Sequence, residues 1–168
     1  DATPDGTAPV VAHHTAGERL EENLEWRAAY PSGLENDRWY WNYISAYEAP
    51  ATRSYPFGLA NLSTEPGIAT LAALLRGYSA TSGQHSCELR LNDVLLTSAN
   101  WAAGSAQLIQ LDVAQGALQG GVNELEVTCG VGLTSGQSDI VLVNRFDLTY
   151  PASFLAIGDR TDFRLTES

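Results

Sequence analysis

The sequence predicts an all-β domain, an antiparallel sandwich or barrel, on three observations. Short segments alternate apolar and polar side chains, polar or glycine-rich turns separate them, and 15 Gly and 7 Pro are scattered along the 168 residues. With 44% apolar and 17% charged residues the composition is globular, and the length suffices for one sizeable core.

Taken in order, Leu20, Glu22, Leu24 and Trp26 alternate onto one face of an extended strand within His13 to Trp26. A helical spacing of Leu20, Leu24 and Trp26 fits nearly as well. Tyr30-Pro31-Ser32-Gly33 signals a turn. Beyond it Trp39, Trp41 and Tyr43 alternate with Tyr40 and Asn42, as in a half-buried strand, though a short helix also fits. Tyr55 to Leu62 reads as a strand edged by prolines. The segment Gly67 to Ser79 (GIATLAALLRGYS) has the Leu-Ala content of a helix. Gly67 and Gly77 bound it, however, and Leu71, Ala73 and Leu75 alternate; because the segments that follow are plainly β, a strand is predicted. His85 to Leu96 forms a hairpin around Asn92-Asp93. Gln107 to Val113 alternates, and the glycines between Ala114 and Gly121 break the pattern. Val122 to Cys129 alternates again with Leu125 and Val127 inward. From Asp139 to Tyr150, Ile140 and Leu142 share one face and Val141 and Val143 the other, Phe146 and Leu148 follow, and Pro151 ends the strand.

A formal net charge of −11 repels phosphate backbones and anionic lipid headgroups. Nucleic acid and membrane surfaces are therefore poor partners, while divalent cations and neutral ligands are compatible. No apolar run approaches the ~20 residues of a membrane-spanning helix. The two cysteines, Cys87 and Cys129, lie on segments read as strands. One disulfide in an oxidising compartment fits them, and so do two buried thiols. The chain starts at Asp1, which implies that any secretory signal has been removed, and the protein is expected to be extracellular. Residues 1–12 (DATPDGTAP onward) read as a linker, 13–158 as the sandwich, and 159–168 as the start of a linker or next domain.

From Gly67 onward the order of features resembles the galactose-binding-like jelly rolls used as carbohydrate-binding modules. The matching pieces are ATLAALLRGYS, CELRLNDVLL, ANWAAG, QGGVNELEVT and DIVLVNRFDLTYP. Over His13 to Phe163 the chain also looks like a jelly-roll domain preceding the catalytic domain of secreted, gingipain-like (C25-type) cysteine peptidases. That likeness rests on HHTAGERLEEN, ENDRWYWNYI and FDLTYPASFLAIGD. The peptidase domain itself is absent from this sequence, so no proteolytic activity carries over.

The resemblance implies a structural calcium where the first and last strands meet. Glu21 and Glu22 would supply acidic ligands from the first strand, and Asn144 and Asp147 oxygens from the last. Calcium takes six to eight oxygens, so clustered carboxylates suit it; the plainer reading of Glu18 to Glu25 is a solvated face. For sugar binding the residues offer the aromatic-rich stretch Trp39, Tyr40, Trp41, Tyr43, Tyr47 and Tyr55, with Arg38, Asn42 and Asp37 nearby, and Trp101 in a small-residue loop; Arg38, Tyr40, Trp41 and Trp101 are nominated. Pyranose rings stack their C–H faces on exposed aromatics, whereas the plainer reading puts most of these rings in the core. His85 near Cys87, and His13-His14, supply neither a nucleophile's setting nor zinc-ligand spacing. The expected role is a non-catalytic accessory module that binds carbohydrate. The alternative is an architectural or regulatory domain packed on a neighbouring cysteine peptidase domain.

Overall fold

A computed structural model describes residues 13–29 and 37–154. The expected linkers at 1–12 and 159–168, and the turn at Tyr30-Pro31-Ser32-Gly33, lie outside the described residues. Strands follow in the order β1 (His14–Leu20), β2 (Glu25–Trp26), β3 (Trp39–Tyr40), β4 (Asn42–Tyr47), β5 (Ala51–Leu59) and β6 (Ile68–Ala80). After them come β7 (Gln84–Leu91), β8 (Val94–Ala102), β9 (Ala106–Ala114), β10 (Gly121–Cys129) and β11 (Ser138–Ala152). A single 3-10 turn, Gln115–Ala117, is the one helical piece among the described residues.

The strands form an antiparallel β-sandwich of jelly-roll type. One sheet runs β1-β11-β6-β9, with β4 also paired to β11, and the other runs β5-β10-β7-β8. A short ribbon, β2-β3, stands apart from both. Leu71, Ala73 and Leu75 of β6 and Val141, Val143, Phe146 and Leu148 of β11 line one inner face. They meet Leu89 and Leu91 of β7, Leu125 and Val127 of β10, and Tyr55 and Leu59 of β5. Such alternation buries one face per strand, and truncating a leucine here to alanine costs about 2–5 kcal/mol.

The Leu-Ala-rich segment is a strand despite its helix propensity, because β11 and β9 flank it on both sides. Tertiary pairing outweighs the local preference. Cys87 and Cys129 lie directly opposite each other on β7 and β10 and are joined as a disulfide inside the core. Asn92 (φ 48°) and Asp93 (φ 67°) form the two-residue β7–β8 loop, both in the left-handed region that such a tight hairpin requires. The Asn92 amide donates to the Ala117 carbonyl (2.8 Å) and Asn123 Oδ1 (2.9 Å) and accepts the Glu124 N–H, tying the tip to β10.

Three expectations need correction. The segment from Leu20 to Trp26 is not one strand: β1 stops at Leu20, and Leu24 and Trp26 are exposed. Alternation through Trp39 to Tyr43 is interrupted by a bend at Trp41, which separates β3 from β4. Trp101 belongs to β8, not to a loop, and faces the core opposite His85.

The longest pairing, β6 with β11, slips twice. Ile140 opposes Ser79 and Val141 opposes Gly77, leaving Tyr78 as an extra residue on β6. Val143 opposes Leu75 and Arg145 opposes Leu74, leaving Asn144 as an extra residue on β11. Each β-bulge re-aims one side chain out of the regular alternation. At Gly77, beside the first bulge, the buried His85 ring occupies the space a Cβ would need. His85 is fixed in turn by Asp139 (Nδ1 to Oδ1, 2.5 Å), whose second oxygen accepts the Ser86 N–H at 3.1 Å. Gly77→Ala is therefore expected to lower the unfolding free energy by about 1–3 kcal/mol, the usual cost of overpacking. Urea titration of both proteins checks this, and an unchanged midpoint would show that the ring yields.

Candidate functional site

The two bulges and the ribbon make one structure on the outer face of the five-stranded sheet. Leu74 and Leu142 point away from the sandwich core, yet both are buried. Tyr40 of β3 is 0% exposed and lies near Arg76 on that same outer face. Burial pushes the Tyr40 hydroxyl pKa up to about 12, with Arg76 opposing the rise and Asp37 adding to it. Tyr40 thus anchors the ribbon as part of a small second core.

Asn144 fastens the ribbon's edge. Its amide nitrogen donates to the Trp39 carbonyl (2.7 Å) and to Asp37 Oδ2 (3.3 Å). It sits where the neighbour of β11 changes: Leu20 of β1 opposes Phe146, and Asn42 of β4 opposes Val143. Tyr78, the other bulge residue, lies 5.9 Å from the Arg27 guanidinium, which is also 5.8 Å from the Tyr43 ring. Arg27 pairs with Glu25 at 3.1 Å. Two backbone bonds, Leu24 N–H to Tyr40 O and Arg27 N–H to Arg38 O, extend the ribbon.

On this support stand two tryptophans. Trp26 and Trp39 oppose each other across the ribbon with ring centroids 5.2 Å apart, and they remain 52% and 40% exposed. Large aromatic rings left in water on a buttressed strand pair are the feature of this surface most suited to stacking on a ligand. Glu25, Arg27, Asp37 and Arg38 adjoin them along the chain and carry groups able to exchange hydrogen bonds with hydroxyls. A shallow cleft of about 510 Å³ at one end of the sandwich, between Leu62, Pro66, Gln115 and Leu118, has neither aromatic nor charged lining.

The structure redistributes the residues nominated from sequence. Arg38 is exposed beside the platform, its Nη1 donating to the Ala28 carbonyl. Tyr40 and Trp101 (6% exposed) are core residues and present no face to a ligand. Trp101 donates its Nε1–H to the Ser105 carbonyl at 3.2 Å. Trp41 is half-buried, edge-on to Tyr55 at 4.8 Å. Trp26 went unnominated because its alternation with Leu20 and Leu24 reads as core-facing. The signal that marks it out is the break after Leu20, where Glu21-Glu22-Asn23 interrupts the strand.

The four proposed calcium ligands do not form an oxygen cage. Asp147 bonds Arg19 Nε (2.7 Å) and Arg145 Nε (2.8 Å), so two guanidiniums already surround its carboxylate. Asn144 presents amide N–H groups to Trp39 and Asp37, while its oxygen faces Arg145. Among the described residues no three His, Cys, Asp or Glu side chains gather as a metal site. Nor do the histidines meet. His14 opposes Ala152 at one end of β11 and His85 contacts Asp139 at the other, about 40 Å away at ~3.3 Å per residue. His85 is sealed against Trp101, ring centroids 5.3 Å apart.

Two measurements follow from Asp147. Burial raises its pKa, but the bonds and charges of Arg145 and Arg19 outweigh that and hold it below the ordinary carboxylate value. A depressed acid contributes stability that is complete above the unfolded pKa of about 3.9 and is lost as pH falls through the folded value. Asp147→Asn should therefore lose less stability than wild type between pH 6 and pH 3, read as urea midpoints; parallel losses would refute the pairing. Melting curves in excess calcium and in chelator are expected to coincide. A calcium-dependent rise would place a metal on a different oxygen set.

No family profile matches the sequence, and no curated protein does. Among solved structures the chain is similar to dimeric latent PorU from Porphyromonas gingivalis, at a TM-score of 0.61 and 18% identity. That match covers 89% of this chain and 14% of PorU, so this chain spans about a seventh of that protein. A family 35 carbohydrate-binding module from Cellvibrio japonicus Abf62 gives a TM-score of 0.47 and 12% identity, covering 82% of this chain and 99% of the module. The family 36 module in complex with calcium and xylotriose gives 0.45 and 12%, covering 79% and 98%. The PorU match carries the fold alone: this chain is a jelly-roll domain of the architecture found within that larger protein.

Proposed function

We propose that this domain is a non-catalytic, extracellular accessory module that binds carbohydrate through the Trp26–Trp39 platform. The observation that carries the reading is the pair of facing, solvent-exposed tryptophans on a ribbon anchored at both bulges. Sugar rings are apolar on their C–H faces and polar at their rims, so they stack on indole and hydrogen-bond to groups at its edge. Glu25, Arg27, Asp37 and Arg38 provide such groups without a deep pocket. A ribbon already held in place also lowers the entropy lost on binding. The disulfide agrees with an oxidising compartment, and the likeness to one portion of PorU agrees with a module inside a longer chain.

One observation favours a second reading. PorU is far longer than this domain, so the same aromatic face could dock against a neighbouring domain. The two readings separate on an array of neutral and acidic polysaccharides probed with the purified protein. Binding is expected, and Trp26→Ala and Trp39→Ala should each weaken it at least about tenfold, ~1.4 kcal/mol, with the melting temperature preserved. A silent array transfers the platform to the docking reading.

A further inference from the structure

The aromatic surface does not end at the ribbon. Along β4, Ile44 and Ala46 are buried, while Tyr43, Ser45 and Tyr47 point outward. Trp39, Tyr43 and Tyr47 thus recur at four-residue intervals of one run of chain, all exposed, with Tyr47 at 66%. Tyr43 and Tyr47 are about 13 Å apart at ~3.3 Å per residue of strand. Tyr43 is tied to the ribbon through Arg27.

The backbone that carries Tyr47 is pinned at the next residue. Glu48 Oε1 accepts from the Gly136 N–H (2.8 Å) and Ser135 Oγ (3.2 Å). Glu48 itself adopts φ 57°, a conformation a non-glycine residue keeps only where its surroundings impose it. Backbone fixed in this way loses little freedom when a ligand stacks on the adjoining ring.

Charge narrows the ligand further. Arginines near the row have partners within the domain yet keep further N–H groups: Arg27 bonds Glu25, Arg38 the Ala28 carbonyl, and Arg53 the Tyr43 carbonyl at 2.9 Å. Glu25, Asp37 and Glu48 offset them locally, and the whole chain carries −11. A polyanionic ligand would meet repulsion here.

We infer that the ligand is a neutral, extended polysaccharide chain, held along its length by the Trp26–Trp39 platform, Tyr43 and Tyr47. This rests on the proposed carbohydrate binding. Rings spaced along an open strand face repeat the same stacking contact on successive sugars, whereas a chain end calls for an enclosing pocket. Arg27, wedged between Tyr43 and Tyr78, positions the Tyr43 ring between the platform and Tyr47.

Calorimetry with xylo-, manno- and cello-oligosaccharides of two and six units, and with polygalacturonate, tests the inference. The six-unit form of the preferred sugar should bind at least about tenfold tighter than the two-unit form. Tyr47→Ala should remove most of that gain, Tyr47→Phe should keep it, and polygalacturonate should stay silent. Equal affinity for two and six units, a six-unit affinity indifferent to Tyr47→Ala, or tight polygalacturonate binding overturns the inference while sparing the platform. Silence of every sugar overturns both, and leaves the row as a protein-docking face.

Discussion

The surface of this domain depends on how β6 and β11 pair. They are its two longest strands, and a perfect register between them would leave the outer face of the sheet flat. Each instead takes in one extra residue, Tyr78 or Asn144. A regular strand can aim a side chain only up or down. The bulges supply the directions needed to hold a second layer: an amide that reaches the Trp39 carbonyl, and a ring beside the Arg27 guanidinium. Tyr40 completes the hold by burying itself near Arg76. A two-stranded ribbon this short has no independent stability in water, so its geometry is borrowed from the sheet beneath.

Division of labour between the two faces of β11 explains why charged and polar groups sit where they do. Inward, Val141, Val143, Phe146 and Leu148 join one continuous core. Outward, the strand changes character along its length, from the covered Leu142 to the ion-paired Asp147. Polar groups that enter the interior find partners for most of their atoms: His85 Nδ1 bonds Asp139, though its Nε2 has none, and Asn123 bonds the backbone of Gln119 and the Asn92 amide. Buried polar groups are tolerated on that condition.

Much of the fold was legible in the sequence, because burial on one face imposes period-two alternation on every strand of the sandwich. In Gly67 to Ser79 the alternation of Leu71, Ala73 and Leu75, with β segments following, outweighed a helix-forming composition. The Asn92-Asp93 turn and the inward Leu125 and Val127 were equally readable. The site was not. Alternation states which residues share a face but not whether a second layer covers that face. Tyr40 therefore looked available when it was covered, and Trp26 looked covered when it was available. Bulges defeat sequence reading for a related reason, since a one-residue slip shows only when both partners are aligned. Asn144, a metal ligand only by the family resemblance, instead donates its amide to the Trp39 carbonyl of β3.

The pairing of β1 with the far end of β11 sets how this domain would hang in a longer polypeptide. His14 lies opposite Ala152, so the path into the sandwich and the path out of it are neighbours at one rim. Such a domain projects sideways from its chain as a pendant and adds almost nothing to the chain's contour. Tension applied through those two points would unzip β1 from β11 a bond at a time. The covalent loop closed by Cys87 and Cys129 would stay shielded from the pull.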